Sequence, residues 1–151
     1  MSGKDGSICC GWQHWGFPGF EGKKLIFNAR CESALEKSMF RDSILHRRIV
    51  IPASWFYEWN PKKEKYTFCR NDRAILFMAG LSRRYEDGEH FVILTTAANA
   101  SMEPVHDRMP LILEQQEIAE WMFSDAKTED FLQKTPCLLE RKTEYEQLSL
   151  F

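Results

Sequence analysis

Apolar and polar positions alternate with a period of two over much of this chain, the spacing of half-buried strands. The clearest case is residues 53–59, where Trp55, Tyr57 and Trp59 alternate with Phe56 and Glu58, which places Glu58 on the face of Phe56. Residues 24–30 and 47–52 also read as strands, the second built on the β-branched run Ile49-Val50-Ile51 and ended by Pro52. Residues 65–70 and 74–81 read as a hairpin turning near Asn71-Asp72, and Glu86-Asp87-Gly88 turns into a strand over 91–96. Further extended runs fall at 109–113 and 137–139. Helical spacing is confined to residues 31–38, to 115–123 with Ile118, Ala119, Trp121 and Met122, and to 128–134, which Pro136 ends. Residues 97–103 read as a short helix or loop, and the tail holding Tyr145, Leu148, Leu150 and Phe151 shows no clear pattern. Many short strands and few helices predict an α+β fold around a folded mixed or antiparallel sheet, in one domain over residues 1–151.

Composition narrows this picture. With 151 residues, 44% of them hydrophobic, the chain can build a real core. It has no run of about 18 apolar residues, so no membrane span is expected. The start, MSGKDGSICC, has no apolar stretch of signal-peptide type. Five cysteines without a CxxC spacing argue against a disulfide framework and a zinc ribbon, and for a reducing cytosol. Cys9-Cys10 are expected to act as small buried apolar residues. His14, His46 and His90 show no ligand spacing along the chain, so no metal is expected.

Net charge is -2, but residues 1–113 hold 16 basic against 13 acidic groups while residues 114–151 hold 4 against 9. A nucleic-acid face would therefore belong to the first part. There, Trp12, Trp15, Phe17 and Phe20 fall among Gly16, Pro18, Gly19 and Gly22. Such a loop either plugs the core with its aromatics or offers a stacking platform for bases.

Asn28, Arg30 and Glu58 are polar groups beside runs that should be buried, and such groups are costly unless paired. Alone, each has a structural reading: Glu58 paired with Arg30, Asn28 capping a helix, and His106 satisfied at the surface or in the core. Several motifs taken together change the balance. They are Asn28-Ala29-Arg30 with Glu32, Phe40-Arg41, Arg47-Arg48 leading to Ile51-Pro52-Ala53, and Phe56-Tyr57-Glu58-Trp59. Downstream follow Ala79-Gly80-Leu81, Leu94-Thr95-Thr96, Ala98-Asn99 and His106-Asp107-Arg108-Met109-Pro110. In this order the chain resembles the SRAP family, the SOS response-associated peptidase-like proteins that crosslink to abasic sites in single-stranded DNA.

The resemblance, which runs from about Trp15 to about Leu113, implies a strongly bent, barrel-like sheet with peripheral short helices and no cofactor. It implies DNA contact at Trp15-Gly16, with Arg30 and Arg108 as phosphate ligands. It gives Asn28 a part in positioning nucleophile and sugar, Glu58 a part in moving protons during imine formation, and His106 a part at the sugar oxygen. The implied partner is single-stranded DNA with abasic sites, in the cytoplasm and at the nucleoid if the source is bacterial. One departure stands out: the family nucleophile is a cysteine after the initiator methionine, whereas position 2 is Ser2, with only twelve residues between it and Trp15. Three readings stay open. The nucleophile lies upstream of Met1; the chain is a shortened binder of single-stranded or damaged DNA that forms no lasting crosslink; or Cys9 or Cys10 acts with His106 as a peptidase or other hydrolase.

Overall fold

The computed structural model of the protein describes residues 1, 5–22 and 24–143. Four short strands open the fold: β1 (His14–Trp15), β2 (Phe17–Pro18), β3 (Leu25–Ile26) and β4 (Asn28–Arg30). Helix α1 (Ser38–His46) leads to β5 (Arg48–Ala53), β6 (Phe56–Trp59) and β7 (Lys65–Arg70). Two long strands follow, β8 (Leu76–Tyr85) and β9 (Gly88–Ala97), then β10 (Arg108–Pro110) and β11 (Ile112–Leu113). Helices α2 (Ile118–Phe123) and α3 (Thr128–Leu132) precede the last strand, β12 (Leu139–Thr143).

The β8–β9 hairpin is the spine of a mixed seven-stranded sheet. One edge of β9 takes β1 and then β4, both parallel to it. On the other edge β8 diverges and β10 takes its place, antiparallel against Thr95–Ala97. The chain then crosses the split: the Leu111 N–H donates to Leu94 O, and Leu111 O accepts from the Ala79 N–H, so β11 pairs with β8 instead. Strand β5 lines the far edge of β8. A separate antiparallel sheet runs β12-β7-β6, and β2 pairs with β3.

Two apolar clusters hold these layers. Ala29, Ala79, Leu81, Val92 and Leu94 form the inner face of the large sheet and pack on Phe40 and Ile44 of α1, Trp121 of α2 and Phe131 of α3. Leu76, Met109 and Ile112 point the other way, onto Phe68 and Leu139 of the small sheet. The first half of β8 is therefore buried on both faces, which explains an apolar run where a one-sided strand would alternate. Beyond the reach of the small sheet, the outer face of β9 is only half-buried at Phe91, Ile93 and Thr95.

The α+β class holds, with a large mixed sheet and few short helices. No closed barrel is found among the described residues; the sheet splits at β10–β11 instead of closing. Strands β7 and β8 do not form the expected hairpin. β7 pairs with β6 and β12 while β8 enters the large sheet: Ala79 and Leu81 of β8 belong to the first cluster, and β8 meets β7 through side chains, Leu76 and Phe68 sharing the second. The expected helix over 31–38 is a string of turns, and α1 begins only at Ser38, where Phe40, Ser43 and Ile44 take the i, i+3, i+4 positions of its buried stripe. The last strand starts at Leu139, not Cys137. Cys9 and Cys10 are exposed, against the expectation of burial. The tail beyond residue 143 lies outside the described residues, as does Ser2. No helix among the described residues is long and apolar enough to cross a membrane.

Candidate nucleic-acid interface

Alternation along β4 exposes Asn28 and Arg30 and buries Ala29. The parallel register sets Asn28 opposite Ile93 and Arg30 opposite Thr95, so both polar side chains share the outer face of β9. One register position toward the start of β9, Trp15 lies opposite Phe91. Its indole stacks on Phe91 (centroids 6.2 Å apart, planes within 5°), meets Phe27 edge-on at 5.3 Å and donates Nε1–H to Phe27 O at 3.2 Å. Half of Trp15 stays exposed, at 52%. The next residue has to be glycine: Gly16 has φ +107°, and a Cβ there would sit 3.2 Å from both Leu25 Cβ and the Phe27 ring. This turn lets Phe17 fall into the core while Trp15 stays outside. Both readings of the aromatic loop are thus realised, by different residues.

At the other end of the strip lies a charged cluster. Arg108, on β10, reaches over β9 to donate to Thr95 O at 2.8 Å and Thr95 Oγ1 at 3.2 Å. Its guanidinium also grips Glu32 with two bonds of 2.8 Å, a fork matched to the carboxylate. Those bonds, helped by the nearby charges of Arg108 and Arg30, hold the Glu32 carboxyl below its ordinary range against the effect of partial burial. The Arg30 side chain makes no hydrogen bond or ion pair among the described residues, so its guanidinium is the cation of the strip available to a ligand. Arg48 is not available: it is buried and donates to Trp121 O, Ile44 O and Asp125. Cys31, beside this cluster, is pushed up to about 12, by burial first and by Glu32 second, which leaves it a protonated thiol at neutral pH.

His106 is half-buried in the turn before β10. The Arg108 backbone N–H donates to its Nδ1 at 3.0 Å, and Arg108 O at 3.3 Å and Asp107 Oδ1 at 3.4 Å lie beside the same nitrogen. The ring lines an open cavity of about 430 Å³ with Trp59, Asn60 and Pro61 from the end of β6 and with residues 103–107. Glu58 immediately precedes this wall; it is half-buried, shares the face of Phe56 as expected, and accepts the Trp59 N–H at 3.1 Å. A second cavity, of about 630 Å³, adjoins Cys31 and Glu32.

No hydrogen bond or ion pair joins Asn28, Glu58 and His106 to one another among the described residues, and Glu58 does not pair with Arg30. His106 is instead tied through the Arg108 backbone, and Arg108 through Thr95, to the strip that carries Arg30 and Asn28. Sequence reasoning missed the roles of Glu32 and Thr95. The Asn-Ala-Arg-x-Glu spacing marks Glu32, but its partner lies 76 residues away. It also gave no role to the exposed stripe of Trp55, Tyr57 and Trp59, where Lys65 Nζ lies 3.8 Å from the Tyr57 ring centroid.

The chain is 34% identical over 116 residues to the abasic site processing protein YedK of Escherichia coli, covering 72% of this chain and 52% of that protein. It is 37% identical over 121 residues to the abasic site processing protein YoqW of Bacillus subtilis, covering 74% and 54%. It thus spans about half the length of these relatives. Among solved structures, a Bordetella bronchiseptica protein superposes with a TM-score of 0.76 at 27% identity, over 87% of this chain and 75% of that one. A Bacteroides thetaiotaomicron protein gives 0.68 at 29%, over 77% and 57%. Residues 5–150 match the SOS response associated peptidase (SRAP) family, and the chain belongs to that family.

Proposed function

We propose that this chain recognises abasic sites in single-stranded DNA and takes part in their covalent capture. The observation that carries the reading is the strip on the outer face of β9: an exposed indole, an amide and a free guanidinium follow one another, with the Arg108 cluster at the end. An abasic site offers an unstacked neighbouring base, flanking phosphates, and a sugar in equilibrium with its open aldehyde. Trp15 presents a ring face to the base, a contact of about 1–3 kcal/mol. Arg30 takes a phosphate, since its fork matches that geometry. Arg108 is already held by Glu32, so its part is to fix the turn that carries His106. Names borne by relatives of this chain, abasic site processing proteins, point the same way.

Capture of the aldehyde begins when an amine nitrogen bonds to the carbonyl carbon. The hydroxyl of the resulting carbinolamine takes a proton from an acid and leaves as water, the nitrogen gives its remaining proton to the conjugate base, and an imine remains. The His106 ring and the Glu58 carboxyl are the acid–base groups assigned to that step, with Asn28 holding the sugar. A cysteine amine would go further, its thiol adding across the C=N bond to close a thiazolidine; a serine amine stops at the imine or a weak oxazolidine. The thiol-hydrolase alternative lacks support, as no contact joins Cys9 or Cys10 to His106 among the described residues.

The test is a denaturing gel after incubation with single-stranded abasic DNA, intact single-stranded DNA and abasic duplex, with and without borohydride. A trapped adduct with single-stranded abasic DNA alone is expected. Glu58→Gln should slow trapping by about 10²-fold or more with folding intact. Equal retention of abasic and intact strands without any adduct would remove the reading.

A further inference from the structure

At the opposite end of β9 from Arg108, roughly 20 Å away at about 3.3 Å per residue, lies a side-chain cluster that the strip does not use. The parallel register sets His14 opposite His90, although nothing in their linear spacing pairs them. Their rings lie 4.9 Å apart between centroids. Asp87, in the β8–β9 turn, joins them, and the ligand atoms of the three all fall within 4.8 Å of one another. His14 and His90, which show no ligand spacing along the chain, are thus brought together in space.

We infer that His14, Asp87 and His90 form a binding site for a divalent transition-metal ion of zinc type. His90 is the built part of it. Buried to 5% exposure, it donates Nδ1–H to Gly16 O at 2.7 Å and turns Nε2 to Asp87 Oδ1 at 2.9 Å. A carbonyl and a carboxylate both accept. The ring between them must therefore hold a proton on each nitrogen or a cation on the Nε2 side. An Nδ1–H bonded to a backbone carbonyl is the outer-shell partner that orients a metal-ligating imidazole. Two imidazoles and a carboxylate suit zinc or its neighbours, with a fourth position left to water. Bonds of about 2.0–2.1 Å at tetrahedral angles set ligand atoms roughly 3.3 Å apart, so His14 has to close in and Asp87 Oδ1 has to open slightly from its 2.9 Å distance to His90 Nε2. His14 is exposed, and the Asp87 side chain is 66% exposed. Because His90 holds Gly16 O and His14 precedes Trp15, an ion here would staple the Trp15–Gly16 turn to the β8–β9 hairpin. The site stands apart from the proposed DNA chemistry.

The experiment is a Co²⁺ titration of the intact chain, read by visible absorption, followed by Zn²⁺ displacement and thermal melts. One equivalent of Co²⁺ should give the bands of a four-coordinate site, Zn²⁺ should abolish them, and Zn²⁺ should raise the melting temperature. His14→Ala, which leaves the buried His90 bonds in place, should weaken binding at least 10-fold and cancel the Zn²⁺ shift; Asp87→Asn should act likewise. Cys9→Ser with Cys10→Ser should leave the titration unchanged. Failure to bind one equivalent overturns the inference. So does a His14→Ala curve that matches the parent, or binding lost with the two cysteines.

Discussion

The side chain with most of the site hung on it is Arg108. Its guanidinium ties Glu32 to Thr95, and its backbone N–H holds the His106 ring at Nδ1. The Glu32 carboxyl is held below its ordinary range when folded, so its contribution to stability is full above its unfolded pKa. That contribution is lost as pH falls through the folded value. Glu32 is half exposed, at 54% of its side chain, so solvent screening limits the effect to about 0.2–1 kcal/mol. Glu32→Gln should therefore lower the urea midpoint at pH 7, and the gap to the parent should close in strong acid. An equal gap at both pH values would remove Glu32 from the ionic account. Arg108 Nε is buried without a partner of its own, which makes the guanidinium dependent on the bonds it keeps.

Among the elements, β1 and the turn after it show how one residue fixes a face. Gly16→Ala meets a positive φ and close contacts with Leu25 and Phe27, a strain of about 1–3 kcal/mol. The variant should unfold at lower urea and, where it folds, bind abasic strands less well through a displaced Trp15. Parent-like values for both would mean the turn is not constrained. The join between α1 and β5 makes a contrasting case. Arg48→Met removes donors from Trp121 O, Ile44 O and Asp125, and should cost about 2–4 kcal/mol by leaving buried carbonyls unpaired. Within the basic pair Arg47-Arg48, the second member is a core clamp. Period-two patterning located most strands within a residue or two, since it depends only on which face is wet. It did not reveal that residues 74–81 pair with β5 and β9 and not with β7, because a run buried on both faces says nothing about its neighbours. Helix α1 was hidden for a related reason: the apolar stripe of Phe40 and Ile44 is interrupted by Arg41, Asp42 and Ser43, and the last of these is buried. The Asn28, Arg30 and His106 motifs were legible as a family pattern. Their connections were not, since Glu32 meets Arg108 and His14 meets His90 only through the β9 registers.

On the scale of the whole molecule, a net charge of -2 predicts no general attraction to DNA, so binding has to come from where the cations sit. Arg30 is exposed and unpaired on the strip, Arg108 is committed to Glu32, and Arg48 is inside. Each phosphate contact releases counterions and steepens the fall of affinity with salt. Arg30→Gln should therefore reduce the slope of log K against log salt by about 1, with a uniform loss across strand sequences. Arg48→Met, in the fraction that folds, should lower stability and leave the slope alone. Trp15→Ala should do the reverse of Arg30→Gln: it should weaken binding by about 1–3 kcal/mol at every salt concentration without changing the slope, because stacking on a ring releases no counterions. Measuring the three slopes side by side separates charge from stacking. If Arg30→Gln and Arg48→Met gave the same slope, the strip would not be where the phosphates lie.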